Sequence, residues 1–569
     1  MNIVGIYGAF NWNANDGDLN NKIVLDDLNP SSEENSSTSW SHDSGCTLFI
    51  DGKHICSINE ERLTRVKYDG NFPKKSIEAA LNAGGISSSE VDIVYVVATN
   101  HFVCIVELNN GKAESLIRKY FPTAKIKYIG HHICHAASSV FTSPFNEGSF
   151  LTFDGGGSAI IDPIRQCIDY IENSSIGYFN KEKGIFRFYN LLEDNYNCFG
   201  QLYSCGASKL YQLKTGSPLS GWGDIQGSVG KIMGLSAYGS EADHPKGYVI
   251  TDSSMPYINF DMFIKESKSK YFFENWDTSE TPFSSAEEGA YYLQKLFENG
   301  MIDFLKVLKN NHLDDTICFA GGTFLNIITN TLIKQSGLFK NIHIPPYTDD
   351  SGVHFGAAIW GCVENGEDIS LPDNIALLGL EYSNEEVLKY IEMFDLKYRA
   401  YDVDVVADLI INNKIVGWFQ GRSEHGPRAL GSRSIFMNPT RAENKDIMNK
   451  RVKHREYWRP FAGIVLEDKV SEYFNEGFIT PHMLYTQTAK TDKLPAITHV
   501  DNTCRIQTVN RTQNAKVYDL LTRLDPSVIL NTSFNDNGQP IVETPYHAIK
   551  SFVTMDIDSM VIGDFIIDK

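Results

Sequence analysis

The strongest constraint on the fold of this chain is a pattern that occurs twice, a short apolar run ending at adjacent glycines. SFLTFDGGGSAI carries it from Ser149, and TICFAGGTFLNIITNTLI carries it from Thr316. In each, consecutive apolar and β-branched residues predict a buried strand, and the glycines predict a tight turn in backbone geometry that other residues resist. After the second turn the apolar spacing becomes helical. Strand and glycine turn, found twice, point to a duplicated α/β core with a ligand cleft between its halves.

Neighbouring segments read the same way. NIVGIYG predicts a strand ending at glycine, and TLFIDGKHICSI predicts two strands joined by an Asp-Gly turn, the signature of a tight hairpin. KIKYIG reads as a strand running into a helix at His131. NIHIPPYTDDSGVHFGAAIWG reads as strand, aspartate-bearing loop, and small residues suited to close helix packing. VDVVADLIINNKIVGWFQG reads as helix then strand. The stretch from Ala9 to Trp40, rich in Asn, Asp and Ser, has little to bury and is expected to be a mobile loop or lid. Near residues 370 to 385, SLPDNIALLGLEYSNEE reads as a linker, which divides the chain into domains 1–370 and 371–569.

At 569 residues the chain exceeds one ordinary core, and about two to four domains are expected. Its composition, 42% hydrophobic and 21% charged, is that of a soluble globular protein. No window approaches the roughly 18 apolar residues of a spanning helix, and the first residues lack a basic, then apolar, leader. A cytoplasmic protein with no membrane partner is expected. The ten cysteines form no CxxC pair, which argues for reduced thiols rather than a disulfide framework or zinc ribbon. A net charge of −20 argues against nucleic acid as a partner, because phosphate binding needs clustered cations. One region departs from this balance. Between Arg422 and Arg459 stand ten Lys and Arg against four acids, Glu424, Glu443, Asp446 and Glu456.

Three constellations carry chemistry. In HHICHAAS, His131 and His135 are four apart and share one face of a helix, while His132 points elsewhere. With Asp154 in FDGGGS and an aspartate of TDDSG they make two imidazoles and two carboxylates, a set suited to Fe, Zn or Mn, and spacing does not choose among these. The glycines Gly155, Gly156 and Gly157, and Gly321 and Gly322, can bring backbone N–H groups to phosphate oxygens, or be plain tight turns. Lys231, in GKIMGLSAYG, is either a further phosphate contact or a solvated cation. GRSEHGPRALGSRSI presents Arg422, Arg428 and Arg433 on one loop and helix start, and arginine forks match phosphate oxygens bidentately. NKRVKHREYWRPFA adds Lys453 and Arg459 among aromatics. Together they predict an anion pocket.

The ordered blocks HDSGCTLFIDGK, INEERLTRVK, HHICHAAS, FDGGGS, GKIMGLSAYG, AGGTFLNIITN, TDDSG, GRSEHGPRALGSRS, KHREYWRPFA, HVDNTCRIQTV and NTSFNDNGQPIV resemble the O-carbamoyltransferase family, which includes nodulation and antibiotic-tailoring carbamoyltransferases. The resemblance covers nearly the whole chain. It implies an α/β protein whose domain 1–370 is a duplicated actin-like ATPase and sugar-kinase (ASKHA) domain, threonylcarbamoyltransferase-like, with a metal and adenylate site. Domain 371–569 is implied to be YrdC-like, binding carbamoyl phosphate and forming carbamoyl adenylate from it and ATP with Mg2+. The carbamoyl group then passes to a hydroxyl of a small-molecule acceptor.

By the same resemblance His131, His135, Asp154 and Asp350 hold the metal, iron(II) or another divalent transition ion. Asp350 is preferred to Asp349 by its place in the DSG turn. Arg428, Lys453 and Arg459 hold carbamoyl phosphate, with Arg433, Arg505 and Ser533 beside them. Gly155, Gly156, Gly157, Gly321, Gly322, Asn326 and Lys231 hold nucleotide, and His42 is the general base for the acceptor hydroxyl, its ordinary pKa near 6.5 suiting that work. The polar stretch between Gly8 and His42 departs from the family pattern and lies next to the acceptor site. A tRNA threonylcarbamoylation-type enzyme and a non-catalytic nucleotide- and metal-binding scaffold are the alternatives, and a homo-oligomer is left open.

Overall fold

The Asp-Gly turn closes the hairpin expected of it. Asp51 and Gly52 both take positive φ, 49° and 73°, the geometry that matches the twist of paired strands, and they join β2 (Gly45–Ile50) to β3 (Lys53–Asn59). The computed structural model describes residues 1–8, 42–98, 112–155, 159–162, 167–172, 174–190, 199–217, 222–240 and 285–569. The stretch from Ala9 to Trp40, expected to be a lid, lies outside the described residues, as do Gly156 and Gly157.

β2 pairs antiparallel with β1 (Asn2–Tyr7), which pairs parallel with β4 (Ile93–Ala98), and β4 pairs parallel with β5 (Lys125–Gly130). The sheet order is β3-β2-β1-β4-β5. A second sheet repeats this plan. β6 (Glu147–Phe153) pairs antiparallel with β7 (Ser174–Asn180), which pairs antiparallel with β8 (Ile185–Asn190). On its other side β6 pairs parallel with β9 (Thr316–Ala320), and β9 pairs parallel with β10 (Asn341–His343). Order and strand sense are the same in both sheets. A hairpin of Ala159–Asp162 and Cys167–Ile171 is inserted in the second half. β1 and β6 are buried along almost their whole length, as central strands covered on both faces must be.

The helices that matter to the site follow from these strands. α1 (His131–Val140) leaves β5 directly. α2 (Phe199–Thr215) and α3 (Trp222–Leu235) form a pair over α4 (Ala286–Asn311), and α5 (Ile327–Gln335) follows β9. α6 (Val353–Glu364) lies against both α1 and β1. Its small residues permit this: a methyl on Gly356 would overlap the Cys134 carbonyl, and one on Gly5 would overlap the His354 carbonyl. Close approach brings the turn ahead of α6 beside the first turns of α1.

A third, nine-stranded mixed sheet draws every strand from residues 399–568. Its centre is Val416–Phe419, Arg433–Met437, Val528–Ser533 and Ala462–Leu466. The predicted helix start after GRSEHGPRALG is corrected here, because Arg433 opens a strand. The reason is Glu424, whose Oε1 accepts the backbone N–H of Leu430, Ser432 and Arg433 at 2.7, 2.7 and 3.0 Å. That carboxylate wraps the loop around itself and delivers the chain extended.

The nine-stranded domain is bound to the rest by polar and apolar ties. Arg62 donates to the Gly426 carbonyl at 3.0 Å, Arg422 donates to the carbonyls of Gly379 and Ile55, and His499 Nε2 donates to the Gly234 carbonyl at 2.8 Å. Trp458 and Leu484 sit in the same apolar core as Leu210, Ile232 and Phe297. Cys46, Cys56, Cys134, Cys318, Cys362 and Cys504 are buried free thiols. Among the described residues no helix is long and apolar enough to cross a membrane.

Candidate active site

His131 and His135, one turn apart on α1, aim their Nε2 atoms at a common point, 3.0 Å from each other. Asp154, at the tip of β6, places Oδ2 at 3.1 and 3.6 Å from them, and Asp350, in the turn before α6, places Oδ1 at 3.3 and 3.4 Å. All four are buried. Ligand atoms about 2.1 Å from one divalent ion stand about 3.0 to 3.4 Å apart at octahedral and tetrahedral angles, and the separations involving the two histidines, 3.0 to 3.6 Å, are close to that. They fit a transition-metal ion. Asp350 is in this group and Asp349 is not. His132 bonds Ser175 Oγ at 2.7 Å instead.

The acids act on the imidazoles. Burial opposes charge on His131, but Asp350 and Asp154 hold its ring up to about 10; burial likewise opposes charge on the two carboxyls, and the histidines outweigh it, so Asp350 stays well below the usual carboxylate range. Tyr7 Oη donates to Asp350 Oδ2 at 2.7 Å. His42 meets the same oxygen with Nε2 at 3.6 Å and bonds Asp43 Oδ2 through Nδ1 at 2.8 Å. Burial likewise opposes charge on His42, and Asp350, Asp43 and Asp154 hold it up to about 10. Asp43 thereby fixes the orientation of the ring, through Nδ1, and leaves Nε2 facing the His/Asp cluster.

The glycine turns close over this point. Gly321 takes φ 95°, and a methyl there would overlap the Phe153 carbonyl. The Gly322 N–H donates to Asp154 Oδ1 at 3.2 Å, so the loop of one strand anchors the carboxylate of the other. Gly155 lies beside Asp154 with open space where a side chain would be. Asn326 caps α5, accepting from Thr329 N at 3.1 Å, with its amide also bonded to Gln294.

The predicted cations divide into two groups. Arg422 and Arg433 are committed to backbone carbonyls: Arg433, fully buried, donates to Gln420 and Gly421 at 2.9 and 3.1 Å and stacks on Phe419. Lys453 directs all its donors inward, to Ser533 O, Asn535 O and Asn535 Oδ1 at 3.0, 2.8 and 2.9 Å, and so holds the loop in which Ser533 Oγ donates to Asn535. Arg428 and Arg505 are different. Among the described residues neither guanidinium donates to a carbonyl as Arg433 does through its terminal nitrogens, and their Nε atoms, like that of Arg433, are buried without a hydrogen-bond partner. Burial and each other's neighbourhood with Arg459 lower both, Arg505 to about 9. Arginines clustered at a buried point with nitrogens unpartnered among the described residues are the makings of an anion receptor.

Two neighbours of this cleft escaped sequence reasoning. Arg455, with Nε also unpartnered, donates to the Pro460 carbonyl at 3.1 Å and stacks on Phe461, and Lys67 is an electrostatic neighbour of Lys453 and Arg459. The signal for Arg455 was its place between Lys453 and Arg459; nothing in the sequence pointed from Lys67 to a cleft nearly 400 residues away. Lys231 lies elsewhere than expected of a free phosphate contact, bonded to Tyr211 Oη and Glu456 Oε1, each at 3.1 Å. On the side toward the metal cluster, Arg428 has Asp349 and Tyr68 as electrostatic neighbours. Burial and the charge of Asp43 push Asp349 up to about 7.

A mixed α/β chain with a buried His/Asp cluster beside a cation cleft can be set against known families. The family model described as Carbamoyltransferase N-terminus matches residues 37–104 and 100–359, and that described as Carbamoyltransferase C-terminus matches residues 407–569. The chain belongs to the carbamoyltransferase family and is a transferase. It is 30% identical to an uncharacterized protein of Synechocystis, over 94% of this chain and 96% of that protein. It is 28% identical to the nodulation protein NolNO of Sinorhizobium fredii, over 93% of this chain and 79% of that protein, and 30% identical to NolO of Bradyrhizobium diazoefficiens, over 78% and 79%. Among solved structures, HypF of T. kodakarensis aligns with a TM-score of 0.35 at 11% identity, over 56% of this chain and 46% of that one, too slight a likeness to bear on the fold.

Proposed function

We propose that the protein is an ATP-dependent O-carbamoyltransferase with two linked centres. The cation cleft takes carbamoyl phosphate and, with ATP and Mg2+, yields carbamoyl adenylate. The His/Asp centre is where the carbamoyl group passes to a hydroxyl of a small-molecule acceptor, a sugar or natural product. In this reading residues 1–370 are the actin-like ATPase and sugar-kinase domain, which the repeated sheet order supports, and residues 371–569 are the YrdC-like domain. The observation that carries it is Arg428, an arginine with a buried Nε unpartnered among the described residues, whose electrostatic neighbours include the cations Arg459 and Arg505 and also Asp349, next to the metal-ligand candidate Asp350.

The residues account for the donor half as follows. Arg428, Arg459 and Arg505 repel one another in a site already stripped of much of its water, so a phosphate dianion between them relieves three costs at once. The same preorganised charge acts on phosphate oxygens as they gain charge during cleavage of carbamoyl phosphate and attack at the ATP α-phosphorus. Lys453 sets the Ser533–Asn535 loop along the wall of the pocket, and the backbone N–H groups at Gly155 and Gly321 are nucleotide contacts. A passage between the centres keeps the labile adenylate from water.

For the acceptor half, Asp43 orients His42 and leaves Nε2 to take the hydroxyl proton. His131, His135, Asp154 and Asp350 would hold a divalent ion, iron(II) in this reading, which would supply Lewis-acid polarisation of phosphate or carbamoyl oxygen and offset the carboxylate charge that keeps His42 protonated. The test is mass-spectrometric detection of carbamoyl adenylate, with pyrophosphate release, from protein, ATP, magnesium and carbamoyl phosphate without acceptor. Formation by the wild type and its loss in Arg428→Ala are expected; no adenylate from iron-loaded, folded protein would overturn the reading.

A further inference from the structure

The segment that carries Arg459 is built into the opposite lobe. Glu456 Oε1 accepts from Tyr211 Oη of α2 at 2.7 Å and lies 3.1 Å from Lys231 Nζ of α3, while Glu456 Oε2 faces Arg459 at 3.4 Å. Two residues on, Trp458 Nε1 donates to the Lys231 carbonyl at 3.1 Å, and its ring is buried in the core of that lobe. The side chain of Glu456 is 15% exposed and that of Arg459 30%. Burial disfavours charge on Glu456, but the Tyr211 hydroxyl and the cations Lys231 and Arg459 hold the carboxyl down to about 2, so it is ionised throughout the neutral range.

We propose that Tyr211 and Glu456 are positioning residues for the anion site: the Tyr211–Glu456 hydrogen bond orients Arg459, which makes the pocket of the C-terminal domain depend on the α2–α3 pair of the N-terminal one. The physical reason is entropy. A long, partly exposed arginine must be ordered before it can grip an anion, and ordering it in advance lowers the cost of binding. Glu456 is suited to this because its stronger contacts are to Tyr211 and Lys231. Arg459 donates to its other oxygen at 3.4 Å, a longer ion pair than the 2.7 and 3.1 Å contacts to Tyr211 and Lys231, so Glu456 steers the guanidinium while leaving it able to turn to an anion. The consequence is that motion of α2 and α3, which belong to the lobe with the nucleotide turns, is transmitted to Arg459 through one carboxylate.

The inference rests on the anion-site reading above, and the test separates the two. Removing the charge of Glu456 would alter the field as well as the position, so the variant is Tyr211→Phe, which deletes one hydroxyl and no charge. Carbamoyl phosphate binding to the full-length protein is measured by calorimetry without nucleotide, beside thermal unfolding. Tyr211→Phe is expected to weaken binding about three- to tenfold with little change in unfolding, and to have no further effect in an Arg459→Ala background, since it acts through that side chain. Unchanged binding in Tyr211→Phe while Arg428→Ala loses it overturns the positioning role and leaves the anion site standing. Further weakening by Tyr211→Phe when Arg459 is absent also overturns it. Equal binding by wild type and Arg428→Ala overturns the anion site itself, and the positioning role with it.

Discussion

Tyr7 and Asp350, 343 residues apart, are joined by a buried 2.7 Å hydrogen bond from the phenol to the carboxylate. The strand that opens the chain thus fixes the acid that completes the His/Asp cluster. Tyr7→Phe keeps the ring and removes the donor, leaving Asp350 free to rotate. Affinity for Fe2+ or its Co2+ surrogate, titrated into metal-free protein, should fall by about tenfold or more. An unchanged titration would mean that α6 alone orients the carboxylate.

Removal of the metal should uncouple the two half-reactions. Protein stripped by a chelator is expected to keep pyrophosphate release from ATP and carbamoyl phosphate but lose transfer to the acceptor, and Fe2+ should restore it. His135→Ala should bind less than a stoichiometric ion by elemental analysis, because one of four ligands held at 3.0 to 3.6 Å is gone.

Arg428 and Lys453 should part company in stability. Lys453 donates to three acceptors inside the protein, and Lys453→Ala removes the charged donor from all three, leaving Ser533 O and Asn535 Oδ1 only the Asn535 N–H and the Ser533 hydroxyl, at a cost of about 2 to 4 kcal/mol in urea unfolding. Among the described residues Arg428 makes no such bonds, so Arg428→Ala should stay within about 0.5 kcal/mol of wild type while abolishing adenylate formation. Equal destabilisation of both would show that Arg428 has an internal partner after all.

Acid should weaken the interface between the first sheet and the Arg428 loop. His54, His354 and His425 are buried, His54 and His354 linked through Ser57 and Thr47 by bonds of 2.9, 2.7 and 2.8 Å, and the rings of His354 and His425 stand 5.0 Å apart. Burial pushes all three down, His425 to about 3, aided by the nearby cations Arg62 and Arg422. Unfolded, each takes a proton near pH 6.5; folded, none does until far lower pH. The unfolded chain therefore binds more protons, and stability present above about pH 6.5 is lost as pH falls, by up to about 1.4 kcal/mol per pH unit for each histidine. Urea midpoints at pH 7 and pH 5 check this, and His425→Gln should flatten the slope.

Much of this was legible in the sequence because local chemistry is written in local residues. The Asp51-Gly52 hairpin, the strand into His131 and the two glycine turns are each set by a handful of neighbours, and the i to i+4 spacing of His131 and His135 already put both rings on one face. The cation-rich region from Arg422 to Arg459 was equally visible as a departure from an acidic background. What was not legible is which cations are free. Arg422, Arg433 and Lys453 look like Arg428 in sequence, yet backbone carbonyls take their donors. The helix start expected near Arg433 failed for a similar reason, since Glu424 captures three N–H groups that a local reading assigns to a turn of helix.

The sequence by itself therefore determined the elements, the inventory of ligands and the family. Only tertiary structure decided that Glu456 ties Arg459 to Tyr211 and Lys231, and that among the described residues the Nε atoms of Arg428 and Arg505 are buried with no partner. The physical reason is that a charged group is defined by the donors and acceptors around it, and in this chain those come from segments hundreds of residues away, brought together only when the sheets and helices pack.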